Sequence, residues 1–149
     1  MTKANGDKAT AITGRCYCGA TTFSATQTPQ AIAYCHCTDC RRVTGAPVAA
    51  FAAFDEAAVM FSPSDGRKVT VNPGVERSFC TVCGSPLAGR YEYLPGQVYI
   101  ALGILDQADD LAPQLHAHDS QRLTWLHIDD DLERIATTSR SRLVDAGKR

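Results

Sequence analysis

The fold of this protein depends on two short stretches, CYCG at residues 16–19 and CTVCG at residues 80–84. Each stretch holds a pair of cysteines followed directly by a glycine, which can adopt the left-handed conformation that turns backbone N–H groups toward sulfur. Four thiolates close the tetrahedral shell of a structural zinc ion. We therefore predict a structural zinc that joins two distant hairpins, with Cys16, Cys18, Cys80 and Cys83 as its ligands.

A third stretch, CHCTDCRR at residues 35–42, carries three more cysteines and no glycine. In an extended segment Cys35 and Cys37 face the same side, and a turn that starts near Thr38 brings Cys40 back to them. A catalytic zinc site has three protein ligands and keeps its fourth position for water or substrate. We predict a catalytic zinc ion on these three cysteines, with an open position suited to the thiol of a substrate.

Other interpretations of this third stretch stay open at the level of sequence. The site would be a second structural zinc if His36, His116, His118 or a residue of a partner supplied a fourth ligand. His36 lies between two cysteines of one face and so points away from them. We assign substrate binding to Arg41 and Arg42, whose guanidinium groups suit a carboxylate, with a solvated face as the alternative.

The composition excludes several classes of protein. The 149 residues suit one domain, and 15 Lys and Arg against 16 Asp and Glu give a net charge of −1, unlike a nucleic-acid-binding surface. Residues 1–13 lack the apolar core of a signal peptide, and the apolar run at 46–54 is too short to span a membrane. We expect a soluble, cytoplasmic protein without a nucleic-acid or membrane partner, whose oligomeric state the sequence leaves open.

The state of the cysteines follows from their number and from this compartment. Seven cysteines would leave one unpaired in a fully disulfide-bonded chain. In a reducing compartment, so many cysteines indicate metal binding or redox chemistry rather than disulfides. Ordinary buried thiols are the remaining alternative, and the paired spacing disfavours them.

Short β-prone segments separated by turn residues predict a mainly β domain. The predicted strands form a hairpin at 12–26 and lie at 31–35, 48–54, 59–62, 68–72, 77–80, 87–93, 98–103, 116–118 and 123–128. One helical turn is predicted at 38–44, ended by Gly45, and a short helix at 106–111. Polar residues predict a flexible N-terminus at 1–10 and a flexible C-terminal tail at 137–149, which leaves 11–136 as the zinc-binding domain.

The motifs quoted above resemble one family. GRCYCG at 14–19, CHCTDCRR at 35–42 followed by TGAP at 44–47, and FCTVCGS at 79–85 are similar, in this order, to glutathione-dependent formaldehyde-activating enzymes and centromere protein V-like domains. The similarity continues through GILD at 103–106 and through Pro113, His116, Trp125 and Leu126 to about Ile135. Only the two ends of the chain lie outside it.

This resemblance implies a fold, two metal ions and an activity. The fold is an Mss4-like β-tent of short antiparallel strands around a structural zinc on Cys16, Cys18, Cys80 and Cys83, and the zinc on Cys35, Cys37 and Cys40 is catalytic. The activity is that of a carbon–sulfur lyase, which joins a small-molecule thiol such as glutathione to an aldehyde such as formaldehyde, or runs the reverse reaction. Tyr91, Tyr93 and Trp125 are candidate walls of the pocket or else core residues.

Two other functions compete with this one. A binding module without catalysis would hold two inert zinc ions and expose an apolar patch. A methionine-sulfoxide reductase on a related fold needs a redox-active cysteine near the end of the chain, and no cysteine follows Cys83.

Overall fold

The strands of this protein form two β-sheets in the computed structural model, which describes residues 11–148. The smaller sheet contains the first two strands of the described chain. Its three antiparallel strands are β1 (Ile12–Arg15), β2 (Thr22–Ala25) and β5 (Val59–Ser62), with β2 in the centre. Alternate residues of β1 and β2 are buried, as in strands that place one face on a core. The hairpin predicted at 12–26 is confirmed, whereas the flexible segment predicted at 1–10 lies outside the described residues.

The larger sheet has eight strands. They are β3 (Ala31–Cys35), β4 (Ala49–Asp55), β6 (Arg67–Val69), β7 (Val75–Phe79), β8 (Pro86–Tyr91), β9 (Gln97–Ala101), β10 (Leu115–Ala117) and β11 (Glu133–Arg134). Their order is β11-β10-β3-β4-β9-β8-β7-β6, and only β10 pairs in parallel, with β3 and with β11. Parallel strands need a long connection, and between β3 and β10 this connection includes strands β4 to β9. The mainly β prediction is confirmed, and the antiparallel prediction is corrected at these two pairings.

The central strands β4 and β9 are buried on both faces and separate two clusters of apolar side chains. Alternate residues belong to different clusters: Ala52, Phe54, Val98 and Ile100 to the first core cluster, and Phe51, Ala53 and Tyr99 to the second core cluster. Cys16 and Cys80 belong to the first cluster and Cys40 to the second. Because neighbouring residues of a strand point to opposite faces, the two groups of cysteines lie on opposite sides of the central strands.

Helix α1 (Thr38–Thr44) is the predicted helical turn. Cys37 is its N-cap, and the sulfur accepts a hydrogen bond from the backbone N–H of Cys40 at 3.3 Å. Gly45 ends the helix with a φ of 72°, and its N–H donates to the carbonyl oxygen of Arg41 at 2.7 Å. The helix therefore folds Cys40 back toward Cys37.

A second helix, α2 (Arg140–Gly147), occupies the segment predicted to be a flexible tail. Leu143, Val144 and Ala146 pack on the second core cluster. A Cβ atom on Gly147 would lie 2.5 Å from the Nε2 atom of Gln97, so glycine permits a close approach. The tail prediction is corrected, because tertiary packing stabilises a short helix that its local sequence does not favour.

Two other predicted elements differ from the structure. The segment 106–111 contains a 3₁₀ turn at Ala108–Asp110 instead of an α-helix. The segment 123–128 is irregular instead of a strand, and Arg122 Nη1 donates to the carbonyl oxygen of Leu126 at 2.7 Å. None of the helices between residues 11 and 148 has the length and apolar character needed to cross a membrane.

Candidate metal centres and the adjoining pocket

The cysteines of the CYCG and CTVCG stretches come together in one group, which we call the four-sulfur site: Cys16, Cys18, Cys80 and Cys83. Their sulfurs lie within 4.8 Å of one another, with 3.6 Å between Cys16 and Cys18 and 4.0 Å between Cys18 and Cys80. A tetrahedral zinc ion with Zn–S bonds of about 2.3 Å holds its sulfurs about 3.8 Å apart. The spacing therefore fits a zinc ion with four protein ligands.

Backbone geometry at the four-sulfur site stabilises negative charge on sulfur. The N–H groups of Thr21, Ala20 and Val82 donate to the sulfurs of Cys16, Cys18 and Cys80 at 3.3, 3.4 and 3.4 Å, respectively. Gly19 and Gly84 have φ values of 84° and 79°, the left-handed conformation expected after each pair. Such donors lower the cost of burying thiolates.

Ser85 connects the two halves of the four-sulfur site. Its hydroxyl oxygen accepts the backbone N–H of Tyr17 at 2.9 Å and lies 3.3 Å from the sulfur of Cys83. The hydrogen bond from Ser85 lowers the pKa of Cys83 to about 5, and backbone N–H groups lower the pKa of Cys80. Both shifts favour the thiolates that bind metal. Sequence reasoning did not single out this serine.

Cys35, Cys37 and Cys40 form the three-sulfur site, whose sulfurs also lie within 4.8 Å of one another. Cys35 ends β3, Cys37 caps α1 and Cys40 lies inside the helix. Within the described range, no histidine, carboxylate or further cysteine comes within that distance of all three. The three sulfurs therefore leave one side open to a ligand from outside the group.

The three thiols of this site share hydrogen bonds that make their acidities unequal. Hydrogen bonds from Cys35 and Cys40 lower the pKa of Cys37 to about 2. The hydrogen bonds of Cys35 with Cys37 and Cys40 raise the pKa of Cys35, and burial adds to this rise. These shifts favour the thiolate of Cys37 over that of Cys35, and each sulfur that carries a proton must lose it before it binds a metal ion.

His36 and His116 bind each other rather than the sulfurs. His36 Nε2 and His116 Nδ1 lie 2.8 Å apart, and His116 Nε2 lies 3.0 Å from a carboxylate oxygen of Asp130. These histidines and Asp119 form a third group of potential ligands. Two nitrogens of one tetrahedral zinc ion lie about 3.3 Å apart, so the shorter separation indicates a hydrogen bond. The arrangement contradicts the alternative in which either histidine completes the three-sulfur site.

A pocket of about 290 Å³ opens beside the three-sulfur site. Its lining includes the three cysteines together with Arg77, Tyr91, Tyr93, Tyr99, His118 and Arg140. Mostly apolar pockets with a few polar groups are typical of small-molecule sites. The three-sulfur site thus faces a space that a small molecule can enter.

Arg77 places a positive charge beside the three sulfurs. It belongs to β7, is half-buried, and has its guanidinium carbon 5.3 Å from the centre of the Tyr91 ring. Burial alone would lower the pKa of Arg77, but the acidic groups of Tyr91 and Cys40 outweigh burial and raise it. The guanidinium therefore stays charged and offsets negative charge on the sulfurs.

Arg41 and Arg42 do not belong to the lining of this pocket. Arg41 donates to the carbonyl oxygens of His36 and Gln121 at 2.6 and 2.7 Å, and Arg42 lines a separate shallow hollow. Successive residues of a helix are rotated by about 100°, so the helix that turns Cys40 toward the sulfurs turns the arginines away. Their substrate-binding role stays a prediction, and the arginines that line the pocket of the three-sulfur site come from other elements.

The remaining pocket residues divide into those that were predicted and those that were missed. Tyr91 and Tyr93 line the pocket, whereas Trp125 does not and is 64% exposed. Arg77 and Arg140 were missed because each is far from residues 35–42 in the sequence. No local pattern marks either arginine, and only the order of the strands and the docking of α2 bring them to the pocket.

The chain is similar to a known protein family in sequence and to a solved structure in fold. The profile of a family described as "Glutathione-dependent formaldehyde-activating enzyme" matches residues 11–121, which is most of the chain. Among solved structures, the crystal structure of a Rhodobacter sphaeroides protein, a structural genomics target, is similar with a TM-score of 0.54 and 20% identity, and the match covers 63% of this chain and 87% of that chain. At this identity the likeness shows a shared fold. A search of curated proteins finds no match.

Proposed function

We propose, because this chain belongs to the glutathione-dependent formaldehyde-activating enzyme family, that it joins a small-molecule thiol to an aldehyde. The thiol sulfur bonds to the aldehyde carbon, and the thiol proton passes to the carbonyl oxygen. The reverse reaction breaks the same bond, which makes the enzyme a carbon–sulfur lyase. Glutathione and formaldehyde, which combine as S-hydroxymethylglutathione, are the proposed substrates.

The observation that carries this proposal is the contrast between the two groups of sulfurs. The three-sulfur site has no fourth ligand among the described residues, and the pocket of about 290 Å³ reaches it. In the four-sulfur site, Cys16 and Cys80 are each only 1% exposed. A closed set of four ligands serves structure, whereas three ligands beside a pocket leave room for a substrate.

We assign a structural zinc ion to the four-sulfur site and a catalytic zinc ion to the three-sulfur site. Sulfur ligands select zinc over hard cations such as magnesium and calcium. A zinc ion with an open position would lower the pKa of a substrate thiol and so supply a thiolate near neutral pH. All seven cysteines are unpaired, and we place the enzyme in the cytoplasm, where thiols stay reduced.

The side chains of the pocket have complementary roles in this reaction. Arg77 offsets the charge of the sulfurs, which makes the approach of an anionic thiolate less costly. The rings of Tyr91 and Tyr99 meet edge to face with centroids 5.3 Å apart and keep water from one side of the pocket. His118 lines the pocket with an imidazole, whose two ring nitrogens can accept and donate a proton, and we assign it to carry the proton to the carbonyl oxygen.

Nuclear magnetic resonance with isotope-labelled formaldehyde tests the proposed activity. Because thiols add to formaldehyde without a catalyst, the measured quantity is the rate of exchange between free formaldehyde and its thiol adduct. We expect zinc-loaded protein to accelerate this exchange with glutathione, and the Cys37→Ser variant to leave it at the uncatalysed rate. If the unmodified protein leaves this exchange at the uncatalysed rate for glutathione and for every other thiol tried, the proposal is refuted.

A zinc-stabilised binding module without catalysis is the second candidate function. One observation favours it, because Tyr17 and Val82, which lie within the two cysteine turns of the four-sulfur site, are 89% and 72% exposed. Exposed apolar side chains that lie together often belong to protein interfaces. This function predicts no effect of the protein or of Cys37→Ser on the exchange rate, so the same experiment distinguishes the two candidates.

A further inference from the structure

The C-terminal segment forms one wall of the pocket. Helix α2 lies beyond residues 11–121, the range that the family profile matches. Thr138, Ser139, Arg140 and Leu143 all line the pocket. The helix is held in place by packing and by a hydrogen bond from Gln97 Nε2 to the carbonyl oxygen of Leu143 at 3.1 Å. The pocket thus gains residues that the family match does not cover.

An aromatic ring positions Arg140 at this wall. The guanidinium carbon lies 3.7 Å from the centre of the Tyr93 ring, and the Tyr93 ring lies against Tyr91 with centroids 5.5 Å apart. A guanidinium stacked on a ring keeps its N–H groups at the edge of its plane, where two of them can donate to one carboxylate. The contact with Tyr93 therefore holds the Arg140 guanidinium at the wall of the pocket.

The charges near Arg140 differ from those near the other arginine of the helix. Arg142 pairs with Glu133. Between residues 11 and 148, no carboxylate oxygen lies within 4.0 Å of the guanidinium nitrogens of Arg140 or Arg77. Arg77 has the sulfurs beside it, and Asp39, the acidic residue of the lining, accepts a hydrogen bond from an asparagine amide. Arg140 is therefore the unmatched positive charge of the pocket.

We propose that Arg140 binds a carboxylate of the thiol substrate and gives the pocket its preference for anionic thiols. This inference rests on the proposed function, because it concerns the thiol that enters the pocket of the three-sulfur site. Glutathione carries two carboxylates as well as its thiol, so it can present both kinds of group to one pocket. Arg140 then determines substrate specificity and acts on binding, not on the bond that forms.

S-methylglutathione tests this interaction without turnover, because its blocked sulfur cannot add to an aldehyde. Calorimetry with the zinc-loaded full chain measures its affinity and that of its dimethyl ester, in which both carboxylates are masked. We expect the ester to bind about tenfold more weakly, the effect of losing one charge-assisted hydrogen bond. With Arg140→Ala we expect S-methylglutathione itself, the acid, to bind as weakly as its dimethyl ester. Equal binding of acid and ester to the unmodified protein, or no binding of the acid, overturns the inference.

Two further variants separate the charge of Arg140 from the structure of α2. Arg140→Lys keeps the charge but loses the planar fork, so an intermediate affinity is expected. Arg142→Ala lies on the same helix and should keep the full preference for the acid. If Arg142→Ala loses the preference to the same extent as Arg140→Ala, the helix and not the arginine is responsible, and the inference fails.

The exchange assay keeps this inference separate from the proposed function. With Arg140→Ala we expect the KM for glutathione to rise by a larger factor than its kcat falls, and by a larger factor than the KM for the neutral thiol mercaptoethanol. No acceleration of any thiol by the unmodified protein would refute the proposed function. Acceleration that does not distinguish glutathione from its ester would refute only the role of Arg140.

Discussion

Replacing Cys83 with alanine should unfold the protein, whereas replacing Cys37 with serine should leave the fold intact. The four-sulfur site joins two turns whose cysteines, Cys18 and Cys80, are 62 residues apart in the chain. It lies in the first core cluster, where Cys16 is also buried. Structural zinc contributes on the order of 10 kcal/mol to folding, and a whole domain is stable by only about 5–15 kcal/mol. Losing this site therefore removes most of the free energy of unfolding.

The structure also predicts the size of the effect at Cys37. Its sulfur caps α1 by accepting the N–H of Cys40 at 3.3 Å, and serine is a favoured residue at this position, whereas alanine costs about 1 kcal/mol. In a domain of this size, such a loss lowers the melting temperature by about 3 °C. Cys37→Ser and Cys37→Ala lose the same ligand of the three-sulfur site, so the two variants differ only in the cap of α1. Cys37→Ala should therefore melt about 3 °C below Cys37→Ser.

Native mass spectrometry and thermal unfolding followed by circular dichroism measure these outcomes. We expect two zinc ions in the unmodified protein and one in each Cys37 variant, with a cooperative transition in all three. For Cys83→Ala we expect no cooperative transition. If the Cys83 and Cys37 variants lost equal amounts of zinc and melted at the same temperature, the division into a structural and a catalytic site would be refuted.

Two other predictions concern pH and the docking of α2. Because the pKa values of Cys35 and Cys40 are both raised, zinc binding displaces a proton from each thiol, and the zinc affinity of the three-sulfur site should fall with decreasing pH, by up to about 100-fold per pH unit. Competition with a chelator measures it, and a pH-independent affinity contradicts this. Gly147→Ala places a Cβ atom 2.5 Å from Gln97 Nε2 and should destabilise the docked helix by about 1–3 kcal/mol. Amide hydrogen exchange in α2 should accelerate, while Gly103→Ala, which has open space around its Cβ, should leave it unchanged.

The local spacing of the cysteines was sufficient to predict both groups of sulfurs. Within residues 35–40 the cysteines are two and three positions apart, so the end of a strand and one helical turn bring them together whatever the rest of the chain does. Gly45 predicted the end of α1, and Gly19 and Gly84 predicted the left-handed turns, because these conformations strain residues with a side chain. The joining of the two distant pairs followed from the four ligands that a closed zinc site needs.

Tertiary structure alone decided which charged side chains surround the three-sulfur site. Arg41 and Arg42 follow the cysteines directly, yet the rotation of α1 turns them away from the pocket. Arg77 reaches it through the order of the eight strands, and Arg140 through a helix whose sequence indicated a flexible tail. Strand order and helix docking depend on many weak contacts between residues far apart in the chain, and such contacts exist only in the assembled fold. The sequence by itself therefore determined the candidate metal ligands, and the folded chain determined the charge that a substrate would meet beside them.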